Sequence, residues 1–384
     1  MPERKTKRGA ERTPLEGDWD VIVCGASFAG LTVARELNGS GARVLVVDRY
    51  EIGERQTSAC AAPTLWLEKL GLTASIRQTF GDLVFHTPHA DTRMRLPWTF
   101  STFDYAELCG LLWAQCDAVF ETAKVEGRAA VDLPAQNGSG RPIGIATDRG
   151  ALTAPLVVDA LGWRRVLGDG YQPPDAPLSR GLEVHPRGTG DDLELWIERD
   201  VVPAGYGWSF PAADELRVGV GSFDPHHHVK EPTVELADRL GLPPEGYQGN
   251  WIPHRLRDAV ERDIFFCGDS AGHCLPTTAE GIRPAFYFGV ACGRELRSVH
   301  EGNSSRDAAL TRYGAFNDSH RWKYEWMLRV QNLVPRVPPR VLGPALKAMS
   351  TDRFAGWSFR HYLDICPPDI VGDPEPARVT AVAA

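Results

Sequence analysis

Long hydrophobic runs, a surplus of basic charge and paired cysteines are all missing from this chain of 384 residues. No apolar run approaches the roughly 18 residues that cross a bilayer, so we expect no membrane-spanning helix. The formal charge of -8 at pH 7 leaves no basic excess to neutralise phosphates, which argues against a nucleic-acid-binding protein. Residues 1–16 carry five basic side chains without an apolar core. We therefore predict a disordered arm rather than a signal peptide, and a cytoplasmic protein.

The eight cysteines are scattered through the chain without a CxxC pair or a metal-ligand spacing. This distribution favours small buried hydrophobic residues in a reducing compartment over disulfides or a metal centre. Three consecutive histidines at 226–228 point in diverging directions, and we interpret them as a polar loop. We therefore predict no metal ion.

A glycine-containing turn lies between two apolar runs near the N-terminus. Residues 20–24 and 44–47 have the composition of strands buried on both faces, and residues 31–37 between them have helical periodicity. This strand–turn–helix–strand order is the parallel unit of a doubly wound sheet. The turn, at positions 25–30, has the sequence GASFAG.

The residues of this turn suit a dinucleotide. Gly25 permits a tight turn, Ser27 is small enough for close approach of a pyrophosphate, and Gly30 allows the helix to pack on the strand. Phosphates at the helix N-terminus would meet free N–H groups, which favour anions. Asp48 lies 23 residues beyond Gly25 at the end of the second strand, where it can accept hydrogen bonds from a ribose.

Two later stretches extend the pattern: LVVDALG at 156–162 and GDSAGHCLPTTAEGI at 268–282. Asp269 can hold a ribityl hydroxyl, and amides near Gly281 and Ile282 can cover the electron-rich edge of a reduced isoalloxazine. In order and spacing, the three motifs resemble those of flavoproteins that share the aromatic-hydroxylase fold. The resemblance implies FAD as the cofactor.

The predicted cofactor-binding residues are Gly25, Ser27, Phe28, Ala29, Gly30, Asp48, Arg49, Val125, Asp159, Gly162, Gly268, Asp269, Gly281 and Ile282. No second glycine-containing strand–turn–helix motif occurs in the sequence. We therefore expect an external reductant, such as NAD(P)H, reduced flavin or ferredoxin, rather than a dedicated NAD(P)H domain.

An aromatic stretch indicates one particular family among these flavoproteins. YGWSFP at 206–211, then seven residues, then GVG at 219–221 resembles the YxWxFP–x7–GxG signature of the geranylgeranyl reductase family of FAD-dependent oxidoreductases. That family is related to flavin-dependent halogenases and monooxygenases, and its signature segment lines an apolar isoprenoid pocket beside the flavin. Alternation sends Tyr206, Trp208 and Phe210 to one face of a strand, which gives a flat wall suited to a hydrocarbon. Core packing of these aromatics is the alternative interpretation.

Cys60 follows the second strand, where the resemblance brings the chain past the isoalloxazine and several reductases of the family carry a cysteine. A thiol there can donate a proton to the alkene carbon opposite hydride delivery. A buried structural cysteine would instead be inert, and both roles stay open. The predicted catalytic residues are Cys60, Tyr206 and Trp208. The predicted substrate-contacting residues are Tyr206, Trp208, Phe210 and His273, the last of which follows the glycine–aspartate motif and otherwise packs locally.

We therefore predict an FAD-dependent enzyme that reduces carbon–carbon double bonds of a small hydrophobic, polyprenyl or polyene-like substrate. The main alternative is an FAD-dependent monooxygenase, which shields a flavin C4a-hydroperoxide. A flavin-binding cyclase without net redox chemistry is a third class. A halogenase is disfavoured, because residues 76–90 contain no lysine where halogenases need one.

The predicted fold is α/β, a doubly wound, Rossmann-like FAD-binding domain with an inserted antiparallel-sheet substrate domain and a helical C-terminal region. The predicted limits are 17–55, 101–177 and 263–303 for the FAD-binding domain, 56–100 and 178–262 for the substrate domain, and 304–384 for the C-terminal region. Within this scheme we expect helices and irregular segments over 56–123. The C-terminal region mixes Arg and Lys with Trp, Leu and Val, which predicts either peripheral membrane contact or a helical cap on the FAD domain.

Overall fold

The computed structural model describes residues 13–15, 17–56, 58–131, 141–169 and 178–372. Most of the predicted disordered arm, residues 1–12 and 16, lies outside the described residues. Among the residues described, no helix combines the length and the apolar character needed to cross a membrane. All eight cysteines are free thiols, and seven of them are buried.

The strands, in chain order, are β1 (Val21–Cys24), β2 (Val44–Asp48), β3 (Ala61–Pro63), β4 (Ile76–Thr87), β5 (Ala90–Phe103), β6 (Val119–Thr122), β7 (Val125–Ala129), β8 (Ile143–Thr147), β9 (Gly150–Ala154), β10 (Leu156–Asp159), β11 (Leu178–Val184), β12 (Leu193–Trp196), β13 (Gly205–Ala212), β14 (Glu215–Ser222), β15 (Gln248–Pro253), β16 (Val260–Glu261) and β17 (Ile264–Phe266). The helices are α1 (Phe28–Glu36), α2 (Thr64–Lys69), α3 (Tyr105–Trp113), α4 (Lys230–Arg239), α5 (Ile282–His300), α6 (Arg306–Ser319), α7 (Arg321–Leu333), α8 (Pro339–Met349) and α9 (Asp352–Leu363).

The first sheet has six strands in the order β16-β17-β10-β1-β2-β6. Its central strands run parallel, and β1 is buried along its whole length between β10 and β2. Short continuous apolar runs form these strands, because helices cover a parallel sheet on its faces. Helix α1 follows β1 and packs on the long helix α5. The predicted doubly wound α/β fold is confirmed.

The second sheet has eight strands in the order β15-β11-β14-β13-β12-β4-β5-β3. Its pairs are antiparallel apart from β12 with β4. Strands β7, β8 and β9 form a separate three-stranded sheet. The two large sheets draw on largely different parts of the chain, although the predicted domain limits remain predictions.

The expectation of helices and irregular segments over 56–123 was wrong for one part of that stretch. Strands β4 and β5 form a long hairpin that pairs from Ile76 with Phe103 to Thr87 with Ala90. Register shifts interrupt the ladder between Ile76 and Gln78 and beside Gly81, and Pro97 stands within β5. These breaks hide the alternation of inward and outward side chains on which recognition of a strand from sequence depends.

Candidate functional site

One continuous cavity of about 1090 Å³ connects the first sheet with the second. Most of the predicted cofactor-binding residues line it, as do all three aromatics of the YxWxFP segment. The lining cofactor-binding residues are Ser27, Phe28, Ala29, Asp48, Arg49, Val125, Gly162, Gly268, Asp269, Gly281 and Ile282. Gly25, Gly30, Asp159, His273 and Cys60 do not line the cavity.

The turn between β1 and α1 is held in a conformation that only small residues permit. Gly25 has a φ of +113°, and a Cβ atom there would lie 2.3 Å from the Ala160 carbonyl oxygen. A Cβ atom on Gly30 would lie 1.9 Å from the Gly25 carbonyl oxygen. These contacts bring the start of α1 against the end of β1, so that Ser27 and Ala29 face the cavity. This is the close approach that a pyrophosphate requires.

Asp48, at the carboxyl end of β2, lies on the cavity wall with its carboxylate held by backbone amides. One oxygen accepts from Ala26 N at 2.8 Å and the other from Tyr50 N at 3.1 Å. Burial raises the pKa of Asp48, and these hydrogen bonds oppose that shift. An ionised carboxylate has about four acceptor sites, so Asp48 can also accept from a ribose diol in the cavity that it lines.

Asp159 lies beneath the cavity wall and not on it. It is fully buried, and it accepts hydrogen bonds from Leu161 N, Leu167 N and Ser270 Oγ at 3.0, 2.8 and 2.7 Å. These bonds tie the loop after β10 to the turn after β17. Asp159 therefore positions Gly162, which does line the cavity.

The turn after β17 places Gly268 and Asp269 on the wall next to the start of α5. Burial raises the pKa of Asp269 to about 6, and Arg257 opposes the shift. Helix α5 begins at Ile282 after the N-cap residue Gly281, and both residues line the cavity, so the N-terminus of α5, where backbone amides lack helical partners, borders this space. This arrangement fits a ribityl hydroxyl and the isoalloxazine edge, and the cofactor-binding roles of Asp269, Gly281 and Ile282 stay predictions.

His273 packs locally. Its Nδ1 atom accepts from Gly268 N at 3.1 Å, its Nε2 atom lies 3.1 Å from Asn317 Oδ1, and its ring stacks on Phe288 with a centroid separation of 3.7 Å. Burial lowers the pKa of His273 to about 3, so the ring is neutral. These contacts support a structural role beneath the Gly268–Asp269 turn and not the substrate contact that we predicted.

Tyr206, Trp208 and Phe210 of β13 form an aromatic wall of the cavity, and the Trp208 side chain packs on a glycine of β14. Trp208 pairs in register with Gly219 of β14, and a Cβ atom on Gly219 would lie 2.2 Å from Trp208 Cζ2. The Trp208 indole N–H donates to the buried Glu183 carboxylate at 3.1 Å. Sterics therefore explain the GxG part of the signature. The Trp208 indole lies across β14 at a point where that strand has glycine and no side chain.

Further apolar side chains extend the same wall beyond the aromatics. They come from strands β4, β5 and β12 and from the segment after β12, and they are Leu83, Phe85, Leu96, Phe100, Leu193, Leu195 and Ile197. Phe359 and Tyr362 of α9 line the cavity as well. The sequence analysis missed all nine. Four of them lie on the β4–β5 hairpin, which it did not find.

Cys60 is fully buried in the segment between β2 and β3, whose neighbouring residues Ala59 and Ala61 do line the cavity. Its Sγ atom donates to the Ser58 carbonyl oxygen at 3.1 Å. Burial raises the pKa of the Cys60 thiol well above its usual range, so the group keeps its proton. Arg217 holds this segment through the carbonyl oxygens of Ala59 and Cys60, at 3.0 and 3.2 Å.

Tyr206 connects the aromatic wall to the C-terminal helices. Its hydroxyl donates to the Thr278 carbonyl oxygen at 2.6 Å, and the hydroxyls of Thr278 and Tyr362 lie 2.9 Å apart. Tyr362 donates to Glu280, which pairs with the fully buried Arg283 at 2.8 Å. Burial raises the pKa of the Tyr206 phenol, which therefore keeps its proton.

The architecture is a Rossmann-like sheet and a large antiparallel sheet around one cavity. No protein-family model matches the chain. The chain is similar to digeranylgeranylglycerophospholipid reductase 3 of Methanosphaera stadtmanae, at 23% identity over 339 residues that cover 79% of this chain and 83% of the relative. It is also similar to the digeranylgeranylglycerophospholipid reductase of Haloferax volcanii, at 24% identity over 352 residues covering 79% and 81%.

Solved structures give the same fold. A geranylgeranyl bacteriochlorophyll reductase-like protein from Thermoplasma acidophilum superposes with a TM-score of 0.77 at 15% identity, covering 92% of this chain and 98% of that protein. A probable FAD-dependent monooxygenase from Pseudomonas aeruginosa superposes with a TM-score of 0.60 at 18% identity, covering 88% and 99%. The predicted resemblance to the geranylgeranyl reductase family and its relatives is confirmed.

Proposed function

We propose that the protein reduces carbon–carbon double bonds of a polyprenyl or polyene-like lipid. The cofactor is FAD, and the protein is an FAD-dependent oxidoreductase. The relatives' names specify a geranylgeranyl-bearing lipid, and we propose a substrate of that chemical class here. An external reductant, NAD(P)H, reduced flavin or ferredoxin, supplies the electrons in this proposal.

One observation carries the proposal. The cavity runs without interruption from the nucleotide-binding turns to a wall of aromatic and aliphatic side chains. Hydrocarbon gains free energy in proportion to the apolar area that it buries, and a wall of this kind holds an extended chain without hydrogen bonds. Asp269 and Gly281 line the same space as the apolar Leu83 and Phe85, so a chain lying along the apolar wall would present a double bond to the isoalloxazine site.

The roles of the chain's own residues follow from their positions. FAD, when bound and reduced, supplies hydride to one alkene carbon. Trp208 and Phe210 would orient the hydrocarbon and exclude water, and Tyr206 would hold the proton that the second carbon receives. Tyr206 is favoured over Cys60 because its side chain lines the cavity, whereas the Cys60 thiol is buried behind Ala59 and Ala61.

The test uses the purified holoenzyme reduced anaerobically with dithionite. Mixing with a geranylgeranyl-bearing lipid should reoxidise the flavin, and mass spectrometry should show a product with two added hydrogens. The same reaction with isotope-labelled O2 distinguishes the rival activity. Labelled oxygen in the product would establish a monooxygenase and overturn the reductase proposal, whereas an isomerised product with no change in mass would indicate the cyclase class.

A further inference from the structure

Exposed apolar side chains are concentrated on the C-terminal helices. In the described part of the chain ten large apolar side chains are exposed, and seven of them lie between 322 and 357. The seven are Trp322, Trp326, Leu333, Val341, Met349, Phe354 and Trp357. The three tryptophans are 57–65% exposed, which is unusual for side chains of this size.

Helical spacing places these side chains on outward faces. Trp322, Trp326 and Leu333 follow one another at intervals of four and seven residues along α7, while Tyr324 and Met327 of the same helix are buried. On α9 the rings of Phe354 and Trp357 lie 5.8 Å apart, one turn from each other. The helices thus have an inner face that packs on the protein and a second apolar face that nothing in the described chain covers. We call the outward apolar side chains of α7, α8 and α9 the outer apolar surface.

Basic charge is concentrated in the same C-terminal helices. Residues 321–363 contain eight Lys or Arg and two Asp or Glu, a net of +6 in a chain whose total is -8. Arg321 pairs with Asp258 and Asp318. None of the other seven, Lys323, Arg329, Arg336, Arg340, Lys347, Arg353 and Arg360, forms an ion pair within the described residues. Among the residues that the structure describes, most of the basic charge around the outer apolar surface is therefore not neutralised by ion pairs.

The C-terminal helices also form part of the cavity wall. Val334, directly after Leu333, lines it, and so do Phe359 and Tyr362 of α9. Helices α8 and α9 pack on β5, which carries part of the apolar wall. A single helical layer therefore has the cavity on one side and the outer apolar surface on the other.

We propose that the outer apolar surface docks the protein on an anionic lipid bilayer. Large amphipathic aromatics favour the headgroup boundary, and Lys and Arg beside them bind anionic lipids. A second copy of the chain is a poorer occupant, because a symmetric contact would bring two faces of net positive charge together. This inference rests on the proposed function for its purpose, since a polyprenyl lipid is dissolved in a membrane and enters the cavity from there.

The experiment is co-sedimentation of the full-length holoprotein with vesicles of equal parts phosphatidylcholine and phosphatidylglycerol. The test variant combines Trp322→Ala, Trp326→Ala and Trp357→Ala. The matched control combines Leu65→Ala, Val119→Ala and Tyr247→Ala, which removes the three large apolar side chains that are exposed elsewhere in the described residues. FAD content and thermal unfolding should match the parent in both, because all six side chains are exposed and outside the cavity.

The parent and the control should bind these vesicles, and the test variant should bind about tenfold more weakly or less. Binding should also fall with added salt and on pure phosphatidylcholine. No binding by the parent, or equal binding by the test variant, would overturn the proposal. A dimer in light scattering that the test variant dissociates would assign the surface to a second copy instead. Turnover of detergent-dispersed substrate is measured separately, so a failed docking proposal stays distinguishable from a failed reductase proposal.

Discussion

The two walls of the cavity are built in different ways. The nucleotide wall consists of three short turns, each specified within a few neighbouring residues such as Gly25 to Gly30. The substrate wall is assembled from strands far apart in sequence, so that Trp208 of β13 depends on Gly219 of β14 and on Glu183 of β11. The nucleotide wall is therefore sensitive to backbone geometry at single positions, and the substrate wall to packing between strands.

The largest effect should come from a methyl group in the first turn. We expect Gly30→Ala to yield protein without bound FAD, because the new Cβ atom would lie 1.9 Å from a backbone oxygen that cannot move away without opening the turn. Absorbance of the purified protein near the flavin bands measures this. Gly110→Ala is the matched control, since a Cβ atom there meets nothing within 4 Å and alanine is the better helix former. Yellow, fully loaded Gly30→Ala protein would contradict the assignment of this turn to FAD.

The second largest effect should come from loss of the proton donor on the substrate wall. Tyr206→Phe should retain FAD and slow turnover by about 10²–10⁴-fold, the scale of a lost general acid. Cys60→Ser should keep near-parental turnover, because the Cys60 side chain does not reach the cavity. Rates of flavin reoxidation by substrate under anaerobic conditions measure both. The opposite pattern, with Cys60→Ser slow and Tyr206→Phe fast, would make Cys60 the proton donor and require the 58–61 segment to move.

The contrast between the two walls also explains which parts of the site could be predicted from the sequence and which could not. The glycines of the first turn and the Asp48 position can be recognised from sequence because their geometry is local. The face shared by Tyr206, Trp208 and Phe210 follows from the period of a strand. The β4–β5 hairpin, Glu183 and the position of Cys60 were not accessible, because they depend on which strands pair and on a register shift beside Gly81. His273 shows the same limit, since nearness in sequence to Asp269 did not bring its ring to the cavity.

A third prediction compares two glycines on one strand. Gly219→Ala should destabilise the protein by about 3 kcal/mol, the upper part of the usual range for overpacking, because its Cβ atom would lie 2.2 Å from the Trp208 ring and 2.7 Å from the Leu182 carbonyl oxygen. Gly221→Ala places its Cβ atom 3.4 Å from the same indole, an ordinary contact, and should cost less than about 1 kcal/mol. Chemical denaturation measures both. Equal effects would show that the indole does not rest on Gly219 as described.

The smallest effect concerns the buried charges behind the substrate wall. His185 Nε2 lies 2.9 Å from Glu183, whose carboxylate also receives the Trp208 indole N–H, and His185 Nδ1 lies 3.5 Å from Glu215. Burial opposes the charged imidazolium, but the two carboxylates outweigh it and raise the pKa of His185 to about 9. Arg217 also pairs with Glu215, at 3.0 Å, and holds the Cys60 segment. The network thus joins the aromatic wall to the segment beside the flavin site.

The pKa of His185 is higher in the folded protein than in the unfolded chain, where it is about 6.5, and this sets the sign of the pH dependence of the free energy of unfolding. The stabilisation is fully present below about pH 6.5 and is lost as the pH rises through about 9, because the folded protein must then release a proton that the unfolded chain has already lost. Between pH 7 and pH 9 we expect the free energy of unfolding to fall by about 2 kcal/mol from this source. Denaturant titrations at several pH values measure the fall, which His185→Gln should remove and the exposed-surface control His89→Gln should keep. An unchanged slope in His185→Gln would show that His185 is already neutral at pH 7, and the two carboxylates would then be held by Arg217, Trp208 and Gln248 alone.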